Sequence, residues 1–148
     1  MKTQPIFLIS LVSLVCLASS LAHAQTPVGM WKTIDDATGK EKSLVRITET
    51  AGVLSGKVEK GLDPTQAPDS RCDECSDSRK GQPIVGMTII RNVKKGDSNW
   101  EGGDILDPNN GKIYRVRLTP SSDNKKLEVR GFIGTPMFGR SQTWVRVE

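Results

Sequence analysis

Between Trp100 and Leu118 the chain reads W-E-G-G-D-I-L-D-P-N-N-G-K-I-Y-R-V-R-L, and this stretch restricts the fold more than any other. Its centre, Asp107-Pro108-Asn109-Asn110-Gly111, is made of turn formers. Proline presets φ at the start of a turn, asparagine tolerates the left-handed region, and glycine takes positive φ freely. After the turn, Tyr114, Val116 and Leu118 alternate with Ile113, Arg115 and Arg117, the period of a half-buried strand. Before it, Gly102-Gly103 interrupts the alternation as a β-bulge or a sharp bend would. The stretch predicts an antiparallel hairpin with a bent first arm.

The rest of the chain repeats the theme. Strands are expected over Val28–Ile34, Leu44–Thr48, Val53–Glu59, Ile84–Val93, Leu127–Ile133 and Gly139–Val147, separated by short turns rich in Gly, Asp and Ser. Gly61–Pro83 breaks the pattern. It holds Pro64, Pro68, Pro83, four aspartates and the pair Cys72 and Cys75, so a long loop is expected there, a lid or a contact surface. With the central hairpin this makes about eight strands and no helix. Hairpin after hairpin favours an up-and-down barrel over Greek-key crossings, and glycines inside strands supply the bends that a closed sheet needs. The expected fold is therefore all-β, an antiparallel barrel with one long loop.

The N-terminus reads as an export signal. Lys2 is followed by the apolar run Ile6–Leu17 and a small-residue region ending Ala22-His23-Ala24, so cleavage is expected after Ala24, leaving 25–148 as one domain in the periplasm or secreted. The apolar run is too short to span a bilayer. Val15 stands where a lipobox needs Gly, Ala or Ser, which argues against lipidation of Cys16. Cleavage removes His23, the only histidine, and Lys2, lowering the formal charge from +4 to +3.

That inventory limits the chemistry. Without histidine there is no Ser-His or Cys-His dyad, and no G-x-S-x-G elbow or phosphate-cradling glycine loop is present. Cys72-Asp73-Glu74-Cys75 has redox or zinc-knuckle spacing. Acidic neighbours disfavour a thiolate, a zinc site needs more ligands, and an oxidising compartment favours a structural disulfide. A thiol-disulfide redox role stays as a third reading. Asp107, Asn109 and Asn110 read as turn formers rather than calcium ligands, because EF-hand spacing is absent. Arg115, Arg117 and Arg130 share an outer face without interleaved aromatics, which makes nucleic acid a poor partner. No cofactor and no metal are expected.

Small barrels fill with side chains or hold one ligand. Tyr114, Val116, Leu118, Leu127, Val129, Val45 and Ile47 are the expected lining of a narrow apolar cavity. The leading expectation is a non-enzymatic, monomeric binder of a small apolar or amphipathic ligand. The alternative is an envelope protein-interaction module that uses the 61–83 loop.

Two resemblances bear on this. Gly29-x-Trp31 on the first strand, with Arg140 and Arg146 on the last, resembles the lipocalin and calycin pattern, in which a tryptophan packs under a basic side chain to close the barrel base. The resemblance implies a lipocalin-like barrel with Trp31 under Arg140 or Arg146, a cation–π contact worth ~1 kcal/mol. The ordered set G-x-W-K-T, L-V-R-I-T, C-x-x-C, K-G-Q-P-I-V-G-M, G-G-x-I-L-D-P-x-N-G-K-x-Y, L-x-V-R-G-F-I-G and F-G-R-x-Q-T-W resembles the small exported bacterial proteins grouped as a domain of unknown function, DUF2147. That likeness implies export and family membership but no reaction.

Overall fold

The computed structural model describes residues 24–148, and the expected leader lies outside the described residues apart from Ala24. Eight strands follow one another: β1 (Gly29–Ile34), β2 (Glu41–Thr50), β3 (Val53–Gly61), β4 (Thr88–Lys95), β5 (Trp100–Asp107), β6 (Lys112–Pro120), β7 (Lys126–Phe132) and β8 (Gly139–Arg146). Each pairs antiparallel with the next, and β8 returns to β1 through Trp31↔Arg146 and Lys32↔Val145, closing the barrel in meander order. Closure leaves no edge strand among the eight, so every ladder has a partner on both sides.

The central hairpin forms where its turn chemistry places it. Gly111 takes φ +70, its N–H donates to the Asp107 carbonyl at 2.8 Å, and the Asp107 carboxylate accepts the Asn109 N–H at 3.0 Å. Gly102 takes φ +86 at a register shift between Trp100 and Gly103, so the glycine pair is a bulge that bends β5.

One expected strand is shorter than its apolar run suggests. Ile84–Met87 is not part of β4. Gly86 takes φ +92, the Met87 N–H turns back to the Ile84 carbonyl, and only the Gly86 N–H and the Met87 carbonyl pair with Val58. Ile84 and Met87 are apolar because they are buried in the loop, not because they continue a ladder.

Alternation decides what faces the axis. Val45, Ile47, Leu54, Ile90, Val116, Leu118 and Leu127 point inward, none more than 1% exposed, and they belong to one continuous core. Trp31, Trp100 and Trp144 also point inward and fill the space that smaller side chains would leave. The core extends beyond the barrel. Leu106 pairs with exposed Ile113 and so faces outward, yet it is only 1% exposed. The segment between β3 and β4, residues 62–87, covers it as a strap carrying Cys72, Cys75, Ile84 and Met87.

Candidate functional site

Meander order gives the barrel two unlike ends. The base gathers residues 25–28, the β2–β3, β4–β5 and β6–β7 turns, and the C-terminus. The mouth gathers the β1–β2 turn, the strap, the Asp107–Gly111 turn and the loop 133–138 between β7 and β8.

The base is sealed. The Arg146 guanidinium lies 4.1 Å from the centroid of the Trp31 ring. It donates to the Val28 carbonyl at 2.9 Å, the Thr26 carbonyl at 2.7 Å and the Asn124 side-chain oxygen at 3.0 Å, while the Trp31 indole N–H donates to the Pro27 carbonyl at 2.7 Å. Partial burial lowers the Arg146 pKa, but a guanidinium stays charged at any physiological pH. Gly29 takes φ +140, and a Cβ there would collide with the Arg146 guanidinium and the Glu148 carbonyl. The glycine of G-x-W is thus the space through which the arginine reaches the tryptophan.

Arg140 does something else. It stands at the opposite end of β8 and makes a two-pronged ion pair with Asp36 in the β1–β2 turn, which corrects its assignment to the base. This pair bridges the β1–β8 seam where backbone pairing has ended. The hydrogen bond from Arg140 holds the Asp36 carboxyl below its ordinary range, so Asp36 is an anion and a poor general base at neutral pH.

The mouth holds the polar inward-facing groups. Arg140, Gln142 and Trp144 share the inner face of β8, opposite Gly131, Val129 and Leu127 of β7. Gln142 accepts from the Trp144 indole at 3.3 Å and lies 3.5 Å from Asp36. Thr33 and Ser43 hydrogen bond to each other at 2.9 Å on the inner faces of β1 and β2. Tyr114 and Ile105 are paired across β5 and β6, face inward, and remain half-exposed beside Gly131.

The seven residues expected to line a cavity therefore divide. Val45, Ile47, Val116, Leu118, Leu127 and Val129 sit at 0–4% exposure in the core, packed with the three tryptophans, and only Tyr114 keeps contact with solvent. The sequence expectation does not include Arg140, Gln142, Asp36 or Ile105 at the mouth. The alternation of β8, extended from Trp144 back to Arg140, was the available signal.

The strap leaves and rejoins the barrel at the mouth but lies against its outer wall. Cys72 and Cys75 are disulfide-bonded, with Cα atoms 5.4 Å apart and exposures of 0% and 1%. The Glu74 carbonyl presses on Gly111, where any Cβ would strike it. On the outer face of β4, buried Arg79 donates to the Thr88 carbonyl at 3.0 Å and pairs with Asp77 at 2.7 Å; Arg91 bridges Asp77 at 3.6 Å and Asp104 at 3.3 Å.

The expected outer basic face is largely engaged as well. Arg117 pairs with Glu101 at 2.9 Å, Arg130 holds the Pro136 carbonyl at 2.7 Å, and Arg115 is exposed.

Residues 29–146 match the family described as an uncharacterized protein conserved in bacteria. The chain belongs to the DUF2147 family. The matched region runs from the glycine of G-x-W to the arginine that covers its tryptophan, so it spans the whole closed barrel. No curated protein matches the chain. Among solved structures, a chain titled "Protein HP1028 from the human pathogen Helicobacter pylori belongs to the lipocalin family" is similar in fold. It has a TM-score of 0.70 and 21% identity, over 82% of this chain and 82% of that one. At that identity the likeness establishes a lipocalin-like barrel for this DUF2147 chain and leaves its ligand to be argued from its own residues.

Proposed function

We propose that this DUF2147 protein is a non-enzymatic binder that acts in the bacterial envelope after export and seats a small amphipathic ligand at the barrel mouth. One observation carries the reading: the inward-facing side chains change character along the axis. Toward the base they are apolar and sealed apart from Arg146, whose guanidinium is taken up by Trp31 and the surrounding carbonyls, whereas at the mouth Ile105 and Tyr114 stay partly open beside Arg140 and Gln142. A pocket of apolar walls with a few convergent polar groups suits a ligand with a tail and a head. The tail would lie against Ile105 and Tyr114, and the head would reach Arg140 and Gln142. The non-enzymatic part rests on the histidine-free chain after the leader and on the ionised, arginine-bound Asp36. Export rests on the Lys2, Ile6–Leu17 and Ala22-His23-Ala24 pattern.

Native mass spectrometry of the protein purified without detergent from its own envelope tests this reading. A co-purifying small-molecule mass is expected, reduced in Tyr114→Ala and Arg140→Gln. A bare chain under all conditions would reject it.

A further inference from the structure

The loop 133–138 exposes three large apolar side chains at one place: Ile133 is 70% exposed, Met137 81% and Phe138 76%. Clustered exposure of this kind marks a contact surface rather than chance. The loop is also anchored. Arg130, on the outer face of β7, donates to the Pro136 carbonyl at 2.7 Å and to the Ser141 hydroxyl at 3.0 Å, so the tip is presented by the barrel wall.

The loop folds back over Phe132, which is 6% exposed and faces outward, and borders a cleft of about 280 Å³. That cleft is lined by Arg115, Arg117, Glu101, Phe132 and Pro136. Glu101 is already bound to Arg117, and Arg115 is exposed, so the charge beside the apolar tip is net positive. With Arg130 included there are three guanidinium groups; of the two carboxylates on the same outer face, Glu101 is held by Arg117, and Asp104, opposite Arg115 in register, is held by Arg91.

We infer that this edge docks on an anionic lipid surface, with Met137, Phe138 and Ile133 entering the interfacial layer and Arg115, beside Arg117, meeting the headgroup phosphates. Apolar insertion and cationic attraction act together in interfacial binding, and each Lys or Arg near an anionic surface strengthens binding roughly fivefold. The site combines the loop 133–138 at the mouth rim with the outer face of β6 and β7, and it uses none of the inward-facing side chains proposed to hold the ligand.

Sedimentation of the purified protein with phosphatidylcholine vesicles, and with vesicles also containing phosphatidylglycerol, tests the inference. The protein is expected to partition onto the anionic vesicles and much less onto the neutral ones. Arg115→Gln should weaken anionic binding roughly fivefold, and the double variant Met137→Ser, Phe138→Ser should lower it by at least about tenfold. All three side chains are exposed, so the variants should fold, which circular dichroism verifies. Absence of binding to either vesicle, or unchanged binding by the double variant, would overturn the inference. So would concentration-dependent dimerisation without lipid that the same substitutions abolish, since it would assign the patch to a second copy.

Discussion

Arg146, from the last strand, stacks its guanidinium 4.1 Å from the ring centroid of Trp31 in the first, and Gly29 supplies the room for it to arrive. The contact joins the two ends of the chain, and four acceptors around the guanidinium fix its plane: the Thr26, Val28 and Asn124 carbonyls and the Asn124 side-chain oxygen. Trp31→Ala should therefore cost about 3–5 kcal/mol, the range for removing a large core side chain. A loss under about 1 kcal/mol in urea melts would contradict this role.

Gly29→Ala tests the same joint from its other side. Positive φ and the collision with Arg146 should together cost about 1–3 kcal/mol. Arg146→Met should cost a similar ~1.5–3 kcal/mol, because the acceptors lose a charged donor. If Gly29→Ala costs clearly less in a protein carrying Arg146→Met than in the parent, the guanidinium is part of the obstacle. Equal costs in both backgrounds would leave backbone conformation and the Glu148 carbonyl as the whole effect.

The Cys72–Cys75 bridge is buried and closes a very small ring. Its removal by a double Cys→Ala substitution should cost ~2 kcal/mol in the chain-entropy model and leave the barrel strands intact in far-UV circular dichroism. A buried bridge without a stabilised thiolate should have a reduction potential below roughly −300 mV. Equilibration near −200 mV with rapid alkylation would instead make the pair redox-active.

Acid should loosen the strap before the barrel. Hydrogen bonds from Arg79, aided by the nearby charge of Arg91, push Asp77 down to about 2. An unfolded aspartate titrates near ~3.9, so the stabilisation from Asp77 is complete above that pH and fades as pH falls toward the folded value. Protection of the 62–87 amides, taken relative to their intrinsic exchange rates, should fall between about pH 4 and pH 2. Asp77→Asn should already be less protected at neutral pH and show a shallower acid limb, the remainder coming from Asp63, whose carboxylate is held below its ordinary range by hydrogen bonds from Thr65. Parallel pH profiles for the two proteins would contradict the latch.

Much of this architecture is legible in the residues. Asp107-Pro108-Asn109-Asn110-Gly111 announces its hairpin because turn chemistry is local, and the alternation of Leu127 and Val129 announces its face because burial follows period two. The errors arise where burial comes from elsewhere. Ile84 and Met87 read as strand, and Leu106 gives no sign of being covered, because the strap over the outer face is a tertiary event without a periodic trace. Arg140 and Arg146 are equivalent in sequence, and only the β1–β8 register sends one to the base and the other to the mouth. The interior is packed for a related reason: alternation places six of the expected lining residues inside, but the three tryptophans set opposite Val45, Leu118 and Leu127 come from segments far apart in sequence.

The Asp36–Arg140 pair separates stability from binding. Arg140 is largely exposed, and surface ion pairs contribute little, so Arg140→Gln should leave the urea unfolding midpoint nearly unchanged. The same substitution should weaken binding of a ligand with an anionic head by at least about tenfold, the scale of one lost charge-assisted hydrogen bond. A large stability loss would recast Arg140 as a structural clasp on the β1–β8 seam.

Amide chemical-shift mapping with a medium-chain alkyl carboxylate tests the mouth site most directly. Titration of the isotopically labelled protein should move Ile105, Tyr114, Gly131, Arg140 and Gln142 together in a saturable manner, with weaker shifts in Arg140→Gln. Shifts confined to the strap at 62–87, or none as the probe approaches its solubility limit, would contradict a ligand seated at the mouth of the barrel.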